Sequence, residues 1–360
     1  MTKLQDLINN KKKNYSFYTP DKYGRDFPRI PTGVYAVDRC IGGGIPIGVT
    51  NSFYGHPSSG KSSTATKTLA SAQNLCWNCF EYLWDCSCGE QTKKQSVMVS
   101  TERFDLDWAR NLGVNVDDLV IAEPDSGEEA VDIIYECLNT DDCGLIILDS
   151  LSRVIPEQEI TDPALTNHVG IRAKLHAKLI NKAKASLISQ KKKNINSSFL
   201  ATNQIRAKIG SFMGGEDVTG GFAVQHDFHL TCRMSQLKPE AEFMDAETGF
   251  PKYGKYKINI TSPSVKKKVF TLAGTGEFYM AMMDTDYVPK GTILDYKTVM
   301  KEAQEWGLMN QNSGWSFKYD DLDFDKKADV IEFWRNHPEH FLSVKKKIID
   351  HIVTIKKAED

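Results

Sequence analysis

No stretch of this sequence approaches eighteen consecutive apolar residues, so no membrane-spanning helix is expected. No apolar segment stands behind the polar, lysine-rich start from Met1 to Asn14 either. That argues against a secretory signal and makes the cytoplasm the expected location. Net charge is also lacking: 45 basic against 47 acidic side chains leave −2. Such a balance excludes a surface that is basic throughout, and any DNA site must be a local patch. No internal repeat is visible. Cysteine is sparse outside one segment. Cys40, Cys137, Cys143 and Cys232 are scattered and read as small buried hydrophobes in a reducing compartment. Cys76, Cys79, Cys86 and Cys88 fall within thirteen residues and need a separate explanation.

What is present is ordinary globular material. The 360 residues, 41% hydrophobic and 26% charged, suit one large core domain with a smaller one attached. Residues 1–30 read as an arm with a short helical pattern and then a basic, aromatic run. Val49–Tyr54, Ser96–Thr101, Leu119–Ala122, Gly144–Leu148, Ser198–Gln204, Val224–Met234 and Tyr256–Thr261 read as strands. Ser62–Leu75, Gly127–Leu138 and roughly Asn167–Gln190 read as helices. This alternation predicts an α/β fold with a mostly parallel central sheet. The texture changes near Phe278. A helix through Leu294–Trp306, a hairpin near Gly314–Phe317 and helices over Lys326–Lys357 broken at Pro338 make residues 281–360 a small C-terminal domain. The division is then an arm (1–30), a core (31–280) with a cysteine-rich insertion (76–90), and the C-terminal domain.

Between a predicted strand and a predicted helix stands Gly55-His56-Pro57-Ser58-Ser59-Gly60-Lys61-Ser62, followed by Ser63. The pattern GxxxxGK[ST] turns backbone N–H groups toward phosphates. Its lysine reaches the outer phosphates, and its last hydroxyl holds Mg²⁺. ATP and Mg²⁺ are the expected ligands. Asp149, closing the apolar run Leu145–Leu148, fits a Walker B acid that orients the Mg²⁺. Glu102, just after the strand Ser96–Thr101, stands where a carboxylate can polarise an attacking water or simply be a solvated acid.

Five blocks now become specific. They are Pro31–Asp38 leading to Gly42–Pro46; the phosphate loop; Thr101–Asp105; Ile147–Ser150; and Asn203–Gly210 followed by Gly220-Gly221. In order and spacing, residues 29–280 resemble the RecA family of strand-exchange recombinases, phage-encoded UvsX-like members included. The resemblance implies a RecA-like P-loop ATPase core. It implies that Glu102 activates water, that Lys61 is part of the catalytic machinery, and that Gln204 senses the γ-phosphate. Asp105 and Trp108 fall where the family contacts adenine. Lys257 falls where basic residues reach the neighbouring subunit's ATP. The N-terminal arm docks on the adjacent subunit. If the chain is phage-encoded, the cytoplasm is that of the host.

The same resemblance places DNA-binding loops at Glu157–Gly170 and Ile205–Gly220. Arg206 and Lys208 can neutralise phosphates, with backbone N–H groups near Gly210 and Ser211 helping. Ile209 and Phe212 can wedge between base steps. In the first loop Val169 stands where bacterial members carry methionine, and Arg172 is a phosphate ligand. Lys174, Lys178 and Lys182 share a helix face, which is either solvated or a secondary DNA track.

The bacterial family has no counterpart of the cysteine segment, so its role must come from its residues. A CxxC and a CxC pair can close a tetrahedral, structural zinc site. Free or redox-active thiols and plain packing are the other two readings. Trp77, Phe80, Tyr82 and Trp84 either face DNA or a partner, or pack as a mini-core.

Together these features point to a DNA-dependent ATPase that forms a helical filament on single-stranded DNA and exchanges strands with a homologous duplex. Such a filament meets a recombination mediator or a single-strand-binding protein. A non-catalytic mediator or paralogue and a hexameric helicase-type ATPase are the rivals. Glu102 and Gln204 speak against the first, and the Asn203–Arg206 block against the second.

Overall fold

The computed structural model describes residues 27–163, 170–207, 216–218, 227–245, 248, 251–261, 271–311, 317–319 and 322–359. The N-terminal arm up to residue 26 and the tip of the expected second DNA loop lie outside these.

The central strands are β3 (Thr50–Gly55), β4 (Gln95–Ser100), β5 (Leu119–Ala122), β6 (Cys143–Asp149), β7 (Ser198–Ala207), β9 (Leu230–Leu237), β10 (Tyr253–Asn259) and β11 (Thr275–Ala281). They line up as β11-β10-β9-β3-β7-β6-β4-β5, and β8 (Glu216–Val218) pairs with β7 off this row. The ladders from β9 through β5 are parallel. Those joining β9, β10 and β11 are antiparallel. A short pair, β1 (Arg29–Ile30) and β2 (Ile45–Pro46), lies apart from this sheet. The mostly parallel α/β core expected from the sequence is therefore present.

Why the middle strands read as unbroken apolar runs is clear from what covers them. Along β6, Leu145 and Ile147 join one hydrophobic cluster, while Ile146 and Leu148 join another. Successive side chains point to opposite faces, so a strand buried on both must be apolar at every position. Helices α1 (Tyr35–Ile41) and α2 (Lys61–Gln73) supply the first cluster through Val37, Ile41, Ala65, Leu69 and Ala72. On the other face α4 (Gly127–Leu138) and α6 (Ile171–Lys192) supply Val131, Ile134, Leu175, Leu179 and Ala183. Two short helices, α3 (Leu106–Asn111) and α5 (Glu157–Thr161), follow β4 and β6 in the chain.

The last part folds as α7 (Tyr296–Glu305), a three-stranded sheet of β12 (Asn310–Gln311), β13 (Phe317–Tyr319) and β14 (Leu322–Phe324), then α8 (Lys327–Asn336) and α9 (Pro338–Glu359). These elements share a cluster built on Val299, Trp334, Phe341 and Ile348, which also takes Tyr35 from α1. Lys345 on α9 pairs with Asp295 at 2.7 Å, both buried, and donates to the carbonyl of Gly33.

Some boundaries moved. The phosphate-loop helix ends at Gln73 rather than Leu75, because Leu75 forms a β-bridge with Tyr82. Of the strand expected over Val224–Met234, residues 224–226 lie outside the described residues, and β9 begins at Leu230, where pairing with β3 begins. Ser198–Gln204 extends to Ala207, since Ile205–Ala207 pair with Glu216–Val218. The expected loop start at Ile205 is thus corrected: the chain is still strand there, in a hairpin whose connection, residues 208–215, lies outside the described residues.

Candidate nucleotide and DNA site

Register alone brings the predicted site residues together. Gly55 at the end of β3 stands opposite Gln204 on β7, and Ser100 at the end of β4 stands opposite Asp149 on β6. All four therefore sit at one carboxyl edge of the sheet, where open α/β sheets place their ligands. The cavity there, about 340 Å³, is lined by Ser58, Lys61, Ser62, Glu102, Asp149 and Gln204, together with Asp105 and Trp108.

The loop from Gly55 to Gly60 is shaped by its glycines. A Cβ on Gly55 would meet the Met234 carbonyl oxygen at 2.1 Å. Gly60 has φ +81°, and a Cβ there would strike the Tyr256 ring at 2.9 Å. Such positions exclude side chains so that the main chain alone lines the space. Lys61 begins α2 and is buried. Its ammonium donates to the His56 carbonyl at 2.6 Å and to Ser59 Oγ at 3.2 Å. Burial pushes its pKa down, and the charge of Asp149 pulls it back up. A buried ammonium held by neutral oxygens, at a helix N-terminus, is a site for an anion. The residues fit the phosphates of ATP. Ser62 is exposed toward the same space, and with Asp149 it would hold Mg²⁺.

The remaining groups are tied to neighbours. Asp149 accepts a hydrogen bond from Thr202 Oγ1 at 2.5 Å. Glu102 pairs with Arg153 at 2.9 Å, with both side chains more than half exposed. Asp105 caps α3 by accepting from the Trp108 N–H at 2.9 Å. The Trp108 indole N–H donates to Ser63 Oγ at 3.1 Å, which binds this wall to α2. The Lys290 ammonium lies 5.3 Å from the Trp108 ring centre. Thr202, Arg153 and Lys290 carry no motif of their own. They could be found only once β4, β6 and β7 were known to be neighbours and the C-terminal segment was known to fold back over α3.

The DNA candidates are less gathered. Arg206 belongs to β7, opposite Asp217. Lys208, Ile209, Gly210, Ser211 and Phe212 lie outside the described residues, as does Val169. Arg172, at the start of α6, grips Glu159 with two donors at 2.6 and 2.5 Å. That carboxylate raises its pKa further, against a smaller desolvation effect. A DNA phosphate would have to displace Glu159. On the lysine face, Lys182 pairs with Asp132 at 2.8 Å. Lys257 on β10 sits 3.9 Å from Glu277, away from this cavity's lining.

The cysteines converge. The sulfur atoms of Cys76, Cys79, Cys86 and Cys88 all lie within 4.8 Å of one another. Three of the separations are 3.8 Å (76 to 88), 3.6 Å (79 to 86) and 3.3 Å (86 to 88). A tetrahedron of zinc–sulfur bonds of about 2.3 Å has edges of about 3.8 Å. A disulfide would need about 2.05 Å. Burial works to raise the Cys76 thiol, but backbone N–H groups of Thr92, Cys79 and Asn78 outweigh it and bring the pKa down to about 6. Trp77 and Tyr82 are buried and Phe80 packs on the main core, while Trp84 is 40% exposed and stacks on Tyr82.

Comparison with known proteins agrees with this geometry. The family model for the RecA N-terminal domain matches residues 13–272. The mitochondrial DNA repair protein recA homolog of Dictyostelium discoideum is 26% identical over 98% of this chain and 72% of its own. Protein RecA of Pseudomonas savastanoi pv. phaseolicola is 28% identical over 91% and 82%, and that of Acholeplasma laidlawii 28% over 89% and 87%. Membership of this family implies a DNA-dependent ATPase using ATP and Mg²⁺, DNA binding and filament formation. No helix among the described residues is long and apolar enough to cross a membrane. With the phosphate loop, Asp149 and Gln204 on one sheet edge and a family match over most of its length, the chain belongs to the RecA family and is a recombinase of the RecA type.

Proposed function

We propose that this chain hydrolyses ATP in the cavity bounded by the phosphate loop, Glu102, Asp149 and Gln204. Hydrolysis then controls a helical filament on single-stranded DNA that pairs with a homologous duplex. The observation that carries this reading is the pairing of Gly55 with Gln204, because β7 runs on from Gln204 into the hairpin that bears the proposed DNA loop. A shift at Gln204 has three residues of paired strand through which to reach Lys208.

In this reading Lys61 exchanges its loop carbonyl for a phosphate oxygen. Glu102, held by Arg153, accepts the proton of the attacking water. Bound Mg²⁺ supplies charge neutralisation on the phosphates. Trp108 and Asp105 form the base-side wall. Lys257 reaches the next subunit's nucleotide, and the arm over residues 1–30 docks on the neighbouring core. The core (31–280) and C-terminal domain (281–360) are the other two parts. Arg206, Lys208 and Phe212 contact DNA, with Val169 and Arg172 on the first loop. The cytoplasm is the site of action, and mediator or single-strand-binding proteins govern access to the strand.

We also assign a structural zinc ion to Cys76, Cys79, Cys86 and Cys88, on the strength of the sulfur separations.

The test is ATP turnover with and without single-stranded DNA, beside strand exchange on a homologous duplex. DNA should stimulate turnover, and Lys61→Ala should abolish it. Turnover indifferent to DNA, or rings rather than filaments under the electron microscope, would overturn the reading.

A further inference from the structure

The cysteine segment touches more than itself. It leaves α2 at Gln73 and folds back at once: Cys76 N–H donates to the Glu81 carbonyl, and Leu83 N–H to that of Asn74. The residues between Cys79 and Cys86 are Phe80 to Asp85. Within this short loop lie Glu81, Tyr82, Trp84 and Asp85, and each meets the C-terminal helix α9. The Trp84 indole N–H donates to Ser343 Oγ at 2.8 Å, and that hydroxyl donates to Asp85 Oδ2 at 2.5 Å. Lys346, only 14% exposed, binds Glu81 at 3.0 Å and Asp350 at 2.6 Å. Tyr82 is buried in a small enclosed space with Leu342, Lys345 and Ile349, and Trp84 stacks on it at 4.8 Å. Leu342, Ser343, Lys346, Ile349 and Asp350 form one stripe of α9, at helical spacing.

The sulfurs close the base of the loop. Cys79 and Cys86 stand 3.6 Å apart, and a metal there ties the ends of the six residues that carry the contacts. A chain so short, left open, would have to order itself each time it met α9.

We propose that the four-thiolate knuckle is a metal-dependent latch whose partner is this chain's own C-terminal helix. Metal bound, Glu81, Trp84 and Asp85 are held out as a fitted surface for α9. Metal lost, that half of the grip loosens. The pair Lys345–Asp295 and the hydrophobic cluster under α9 keep the helix folded. Because the knuckle grows from the end of the phosphate-loop helix, metal occupancy sets how firmly the C-terminal part is held to the ATP-binding core. This inference rests on the zinc assignment.

The experiment uses the intact chain. Zinc is counted by atomic emission, and amide hydrogen exchange over α9 is followed before and after removal with a chelator. We expect about one zinc per chain, and on its removal about a tenfold faster exchange across Leu342–Ile352, with the sheet unchanged. Lys346→Ala and Ser343→Ala should retain the zinc, speed the same amides, and gain little more from chelation. If zinc is present but its removal leaves α9 exchange unchanged, the latch is wrong and the metal site survives. If no zinc binds, the metal assignment falls and the latch with it.

Discussion

Thr202 on β7 donates its hydroxyl to Asp149 on β6, at 2.5 Å. The two residues come from neighbouring strands, and Thr202 lies two residues before Gln204 on the same strand. The bond engages one oxygen of Asp149, which lines the same cavity as Ser62, where the two would hold Mg²⁺. Thr202→Val keeps the shape and removes the donor. We expect kcat for ATP to fall about tenfold and the Mg²⁺ requirement to rise, with nucleotide affinity less affected. Steady-state turnover over a magnesium series measures both.

Arg206 is predicted to contact phosphate from the β7–β8 hairpin. Arg206→Ala should weaken binding to every single-stranded sequence alike. The slope of log K against log salt should become shallower by about 0.7, the value for one lost phosphate contact on a single strand. A binding titration at several salt concentrations reads the slope directly, and a change confined to some sequences would point to a base contact instead.

Lys345 and Asp295 are both buried, so their pair is expected to behave asymmetrically on mutation. Lys345→Met leaves Asp295 buried with an uncompensated charge, and should cost about 3 kcal/mol in urea unfolding. Lys345→Met with Asp295→Asn should recover much of that loss.

Asp38 is fully buried beneath the C-terminal helix. Desolvation raises its pKa to about 7, against the Thr32 and Gly33 hydrogen bonds and the charge of Lys345, which lower it. The folded chain therefore holds a proton that the unfolded chain has released between about pH 4 and pH 7. Stability contributed by this group is complete below that window and declines as pH rises through it, by about 1.4 kcal/mol per pH unit. Asp38→Asn should flatten the curve there, since an amide oxygen can still accept from the Thr32 N–H at 2.7 Å. Thermal melts from pH 4 to pH 8 measure the slope.

Local chemistry made several features legible without a fold. Gly60 and Lys61 follow from what a phosphate cradle requires of its backbone. The run Leu145–Leu148 is apolar at every position because both faces of its strand are covered. Gly127–Leu138 was readable to the residue from its apolar period, and the structure adds a Ser126 cap that accepts from the Glu129 N–H. The four cysteines stood out by spacing alone as a candidate metal site, and the structure brings their sulfurs together.

Other features depended on contacts between residues far apart in the chain. That Thr202 serves Asp149, that Arg153 holds Glu102, and that Lys290 lies over Trp108 are consequences of strand order and of the C-terminal segment crossing α3. The extension of β7 past Gln204 needed β8 to supply its hydrogen bonds. The role of Trp84 was likewise undecided until Ser343, 259 positions away, was found at its indole nitrogen. The sequence by itself determined which residues are candidates to bind phosphate, magnesium and zinc, because that chemistry belongs to residue types at short spacing. Only the tertiary structure decided which of them act together, because a partner 50 or 250 residues distant leaves no local pattern to read.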